Sequence, residues 1–232
     1  MIESDGRTGG SSPLDIPPSR SEAFESDHPR VVLAEGLRGI LQHSSTSTAS
    51  DDVFARAAEH VARAAELLAN GPHGRPYDGS SEGAVGGVHH GFLSHSPVTG
   101  PLNALASRVH LETTDREVSA TVTYGDAYEG PPGCLHGGFI AAIFDEVLGL
   151  AQALSGAPGM TGRLVVTYRS PTPLHTELRV VGRLDSVEGR KILTSGEIRD
   201  GDRLCAEAVG TFISVRPGTF SSLDVNRRRG GE

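Results

Sequence analysis

The sequence predicts an α+β protein, an antiparallel six-stranded sheet wrapped round one long central helix, with an N-terminal helical extension. Three observations lead there. Two strand-like segments precede a long apolar helix and four more follow it, an order that suits a sheet curled round a single helix. The strands alternate with period two: Val118, Ala120 and Val122 point one way, Ser119, Thr121 and Thr123 the other. Between the two groups of strands, the segment Glu129-Gly-Pro-Pro-Gly-Cys-Leu-His136-Gly-Gly runs from a rigid Pro/Gly turn into an apolar helix, with Asp145 two turns inside it.

Along the chain, residues 1–30 are rich in Ser, Pro, Gly and charge and are expected to be disordered. Residues 31–91 read as a helical extension and a Gly-rich linker. A short helix over 31–42 would carry Val31, Leu33, Leu37, Ile40 and Leu41 on one stripe, interrupted by Gly36 and Gly39. The Ser/Thr tract before Asp51 supplies an N-cap at Ser50 or Asp51 for a second helix over 52–69. In it Phe54, Ala57, Ala58, Val61, Ala64, Ala65 and Leu68 recur at three and four, and Asn70-Gly71-Pro72 ends the run. That stripe is expected to pack on the outside of the main domain.

The main domain is expected over 92–216, with strands at 105–111, 117–124, 163–169, 178–186, 191–199 and 204–215 and the central helix at 135–154. Glu188-Gly189 and Asp200-Gly201-Asp202 read as hairpin turns. Residues 217–232, with Arg227 to Arg229, read as a flexible, solvated tail.

Composition narrows the partners. The net charge of −8 argues against non-specific nucleic-acid binding and against attraction to anionic membranes, so an anionic ligand would need a local basic patch. Two cysteines, Cys134 and Cys205, show neither a disulfide framework nor metal spacing and suit a reducing compartment. The first residues are acidic, unlike a secretory or transit peptide, and no run of eighteen apolar residues occurs, so a cytoplasmic protein is expected. His89, His90 and His95 cluster but lack an acidic partner at ligand spacing; no metal is expected.

From Tyr128 to Val215 the chain resembles the hotdog-fold acyl-CoA thioesterases. The likeness is greatest to the thioesterase superfamily member 4 and 5 type and looser to the phenylacetyl-CoA-pathway (PaaI-like) enzymes. It is carried by Glu129-Gly-Pro-Pro-Gly133, His136-Gly-Gly138, Asp145, Met160-Thr161, Tyr168-Arg169-x-Pro171 and Val187-Glu-Gly-Arg-Lys191. The resemblance implies hydrolysis of acyl-CoA to a free acid and coenzyme A, with no cofactor beyond the coenzyme A of the substrate. It implies that His136, Gly137 and Gly138 form the helix start that polarises the thioester carbonyl. Asp145 would be the general base or nucleophile, and Thr161 would assist the attacking water. Thr167, Arg169, Arg190 and Lys191 match positions that bind coenzyme A, with threonine at 167 where the family has asparagine. A carrier-protein thioesterase and a non-catalytic acyl-CoA-binding protein are the alternatives.

The helix spacing makes its own demand. His136 and Asp145 are nine residues apart, about 13 Å along a helix and roughly 180° around it. One carbonyl cannot touch both within a subunit, so a site using both must lie between two chains. Gly138, Ala142, Asp145 and Gly149 share one face that admits close approach, and Ile140, Ile143, Phe144, Val147, Ala151 and Leu154 form the opposite, greasy face. A homodimer, or a dimer of dimers, is expected. A helix start suits an anionic oxygen, and burial would raise the basicity of Asp145. Glu146 competes for the base role, His136 reads as base or positioning residue, and Cys134 near the helix start is a candidate nucleophile or a small buried thiol. Arg169, Arg190 and Lys191 sit at strand ends that would clamp phosphates if those ends lie together.

Overall fold

A computed structural model of the protein describes residues 27–73, 94–216 and 219. The expected disordered start, most of the Gly-rich linker, His89, His90 and most of the tail lie outside the described residues. Two helices come first, α1 (Pro29–Thr46) and α2 (Asp51–Ala69). α1 is longer than the 31–42 expected. Pro29 opens it, where a missing N–H costs nothing, and Gly36 and Gly39 face open space. Tertiary contacts hold it: Ala34 is buried, Arg38 donates to the carbonyls of Asn103 (2.8 Å) and Pro101 (3.3 Å), and Gln42 Oε1 accepts from Ala127 N–H at 3.2 Å. Burial pushes the Glu35 carboxyl up, but hydrogen bonds and charge from Arg38 and Arg108 outweigh it and hold the group below its ordinary value.

α2 matches the expected helix to within one residue, but not its expected packing. No residue of α2 is buried, and Phe54, Val61 and Leu68 stay exposed. Its stripe finds no cover among the described residues.

The domain follows as β1 (Val109–Thr113), β2 (Glu117–Thr123), a 3-10 turn at Asp126–Tyr128, α3 (Gly137–Ala153), β3 (Gly159–Tyr168), β4 (Glu177–Glu188), β5 (Lys191–Asp200) and β6 (Arg203–Ser214). The sheet runs β1-β2-β4-β5-β6-β3 with every neighbouring pair antiparallel, which leaves β1 and β3 at the edges. α3 lies across one face and buries Ile140, Ile143, Phe144, Val147, Leu148 and Ala151. Fully burying side chains such as Phe144 and Leu148 stabilises the fold by about 2–3 kcal/mol each. Close approach of helix to sheet depends on Gly182, where a Cβ would sit 3.0 Å from the Val147 carbonyl. This is the hotdog arrangement the sequence predicts.

Two strands begin four residues away from the expected start. β1 begins four residues later than expected, because the chain around Asn103 closes a turn (Ala106 N–H to Asn103 carbonyl, 3.1 Å). β3 begins at Gly159 rather than 163 and carries a bulge between Thr161 and Arg163. Plain alternation would put Thr161 on the outer side with Arg163 and Val165. The extra residue, Gly162, instead pairs Thr161 with the buried Phe212 and turns it towards α3.

Candidate active site

The turn entering α3 is shaped by glycine. Gly133 adopts φ 72°, and its N–H donates to Glu129 Oε1 at 2.6 Å. Gly130 lies so close to His136 that a Cβ would come within 2.8 Å of the histidine Cα. His136 N–H donates to the Tyr128 carbonyl at 2.9 Å, so the turn is docked before the helix begins. Cys134 forms an isolated bridge with Pro173 and belongs to this docking.

His136 is the N-cap, with φ −62° and ψ 134°. Its Nδ1 accepts from Gly138 N–H at 2.9 Å, so that nitrogen is unprotonated and the ring caps the helix rather than serving as a base through Nδ1. The Phe139 and Ile140 amides turn back to the His136 carbonyl. Gly137 N–H has no acceptor among the described residues. Of the two amides expected to receive an oxyanion, the one at Gly138 is therefore occupied and the one at Gly137 is open. The side-chain cap takes the second helical N–H, as caps do.

Tyr168 also belongs to this end. Its Oη donates to the Gly137 carbonyl at 3.0 Å, and a Cβ on Gly137 would meet that oxygen at 3.2 Å. In the sequence Tyr168 stands out only as part of Tyr168-Arg169-x-Pro171. An aromatic residue ending an edge strand carries no signal of what its hydroxyl will reach.

The acid end lies two turns along α3. Thr161 Oγ1 donates to Asp145 Oδ1 at 2.7 Å, which orients the carboxylate and leaves its second oxygen open. Asp145 is exposed in the single chain, so the desolvation expected of it has no source within one chain. Glu146, its competitor, accepts from the buried Thr99 hydroxyl at 2.7 Å and anchors the loop before β1.

The two ends are well separated. Thr161 pairs with Phe212 and Tyr168 with Ala206, six residues apart on β6, or about 20 Å of strand. Gly137 and Asp145 are eight residues apart on α3, about 12 Å. The basic residues divide in the same way. Arg169 follows Tyr168 and pairs with Glu207, beside Thr167, at the amide end. Arg190, whose guanidinium donates to the Ser214 carbonyl (3.1 Å), and Lys191, opposite Ile213, sit at the acid end. The expected phosphate clamp within one chain is therefore not formed; antiparallel pairing of β3 with β6 sends the strand ends opposite ways. Along α3, Gly138 and Asp145 are exposed on the face left open beside edge strand β3.

A cavity of about 1080 Å³ lies elsewhere, beneath α1, among Glu35, Arg38, Gln42, Arg108, His110 and His175. None of the site residues lines it. Among the described residues, no cluster could hold a metal ion and no helix is long and apolar enough to cross a membrane.

Comparison with known proteins supplies the lineage. A family model described as the thioesterase superfamily matches residues 132–207, from the α3 turn into β6. The chain is 38% identical over 95 residues to acyl-coenzyme A thioesterase THEM4 of Xenopus laevis, covering 40% of this chain and 43% of that protein. It is 40% identical over 91 residues to THEM4 of Mus musculus, covering 38% and 39%. The chain thus spans less than half the length of these curated relatives. A crystal structure of a thioesterase superfamily protein is 37% identical and superposes with a TM-score of 0.69 over 81% of this chain and 96% of that one. That match reaches beyond the sheet domain into the helical extension, and the chain belongs to the thioesterase superfamily.

Proposed function

We propose that the chain hydrolyses acyl-CoA thioesters to the free carboxylic acid and coenzyme A, in a site shared by two copies. The observation that carries this reading is the split of the machinery: a carboxylate held by Thr161 at one end of α3, and an open helix-start amide at Gly137 at the other. The naming of the THEM4 relatives as acyl-coenzyme A thioesterases supports the substrate class. Two copies meeting along their β3 edges and open α3 faces would set Gly137 of one chain beside Asp145 of the other.

The thioester oxygen then accepts from Gly137 N–H. Asp145 takes a proton from water as the water oxygen bonds to the carbonyl carbon. The tetrahedral intermediate collapses, the C–S bond breaks, and the sulfur leaves with the proton returned by Asp145. A well-placed backbone donor contributes on the order of 3–4 kcal/mol to such a step. In the same assembly Arg169 of one chain and Arg190 and Lys191 of the other approach the coenzyme phosphates. No cofactor enters. Two free cysteines, Cys134 and Cys205, fit a reducing cytoplasm.

The test is thiol release from short, long and aromatic acyl-CoA substrates, with sedimentation of the same sample. Release confined to a dimer or larger assembly is expected. A fully active monomer would refute the shared site. Tight acyl-CoA binding without release across the panel would point instead to a non-catalytic binder.

A further inference from the structure

We infer that Tyr168 is a positioning residue for the Gly137 amide, an assignment that rests on the hydrolase reading above. The peptide joining Gly137 to Gly138 is held at both ends. Its carbonyl accepts from Tyr168 Oη at 3.0 Å, and its N–H donates to His136 Nδ1 at 2.9 Å. A peptide is planar, so gripping both polar atoms fixes its orientation about the chain. That sets ψ of Gly137, while His136 as N-cap sets the preceding peptide, whose N–H is the open donor.

The grip is needed because glycine has no side chain to restrict it, and a Cβ at either glycine would press on the group that holds the peptide. A Cβ on Gly137 would meet Tyr168 Oη at 3.2 Å, and one on Gly138 would meet His136 Nδ1 at 3.1 Å. The same two groups that crowd the cradle therefore supply the rigidity a glycine pair lacks. Tyr168 reaches it from β3, the strand that also carries Thr161, so one edge strand positions both ends of the machinery. A donor held in place matters most when charge develops on the thioester oxygen, so the loss should fall on kcat.

Tyr168→Phe removes the hydroxyl and keeps the ring. It is expected to lower kcat about five- to twenty-fold while KM changes less than about two-fold, and to speed amide hydrogen exchange at Gly138 several-fold. Gly137→Ala should cost less in the Tyr168→Phe background than in the parent, because the oxygen its Cβ meets is gone. An unaltered kcat and unaltered Gly138 exchange in Tyr168→Phe would overturn the assignment; so would strict additivity of the two substitutions. Failure of the parent protein to release thiol would overturn the hydrolase reading instead, and Gly138 exchange would still decide whether Tyr168 grips the peptide.

Discussion

The two ends of α3 solve opposite problems. At the amide end the proposed reacting group is backbone, and the contacts around Gly137 leave one N–H open: His136 takes the next amide, and Tyr168 holds the Gly137 carbonyl. At the acid end the proposed reacting group is a side chain, Asp145, and a single hydroxyl, that of Thr161, aims it. The amide end is finished within the chain. The acid end is not, since Asp145 remains exposed. A backbone donor needs rigidity, which local contacts supply, whereas a carboxylate acting as base needs partial desolvation, which in the proposed site a second chain would bring.

The sharpest way to break the contrast is to remove each reacting group. Asp145→Asn keeps the Thr161 contact geometry but cannot take the water proton, and kcat is expected to fall about 10²- to 10⁴-fold with the dimer intact by sedimentation. Gly137→Ala adds a Cβ 3.2 Å from Tyr168 Oη but keeps the N–H, so it is the control for Gly137→Pro, which deletes the open N–H at a helical position that favours proline, after a His136 ψ of 134° that already suits one. A loss of about 10²- to 10³-fold in kcat is expected, with helix content unchanged by circular dichroism.

Mixing the two inactive proteins tests whether the ends belong to different chains. After exchange of subunits, a mixed dimer has one site with both groups intact, so about a quarter of the parent activity should return. No recovery, with mixed dimers shown to be present, would place both groups in one chain. Thr161→Val, which keeps shape and loses the hydroxyl, should lower kcat about ten-fold, because the carboxylate stays and only its aim is lost.

The smallest effect is expected far from both ends, at α1. Glu35 has its carboxyl held low by Arg38 and Arg108, so its contribution is present at neutral pH and is lost as pH falls through the lowered folded value. Acid should therefore loosen α1, seen as faster amide exchange in Pro29–Thr46. Glu35→Gln should cost less than about 1 kcal/mol and remove that acid sensitivity, since the group is partly exposed.

Much of this was legible in the sequence for a physical reason. Burial of α3 and alternation in β2 both follow from local periodicity, so Ile140, Ile143, Phe144, Val147 and Ala151 fell on the core side as expected. His136 reads as base or positioning residue, and its bond to the Gly138 N–H is what makes it the helix cap. Helical arithmetic alone also separates Asp145 from the helix start. Other features needed contacts between residues distant in sequence. Whether Arg169 and Arg190 share a strand end depends on strand order, which periodicity does not encode. The α2 stripe was visible, but a stripe does not say what covers it.

The chain's own pattern thus determined the elements and the greasy side of the helix, because each depends on spacing along a regular backbone. Only the tertiary structure decided which glycine amide stays open, that Tyr168 grips the peptide beside it, and that Gly162 turns Thr161 inward. Those outcomes come from a bulge, a cap and a cross-strand reach, each fixed by where separate segments meet in space.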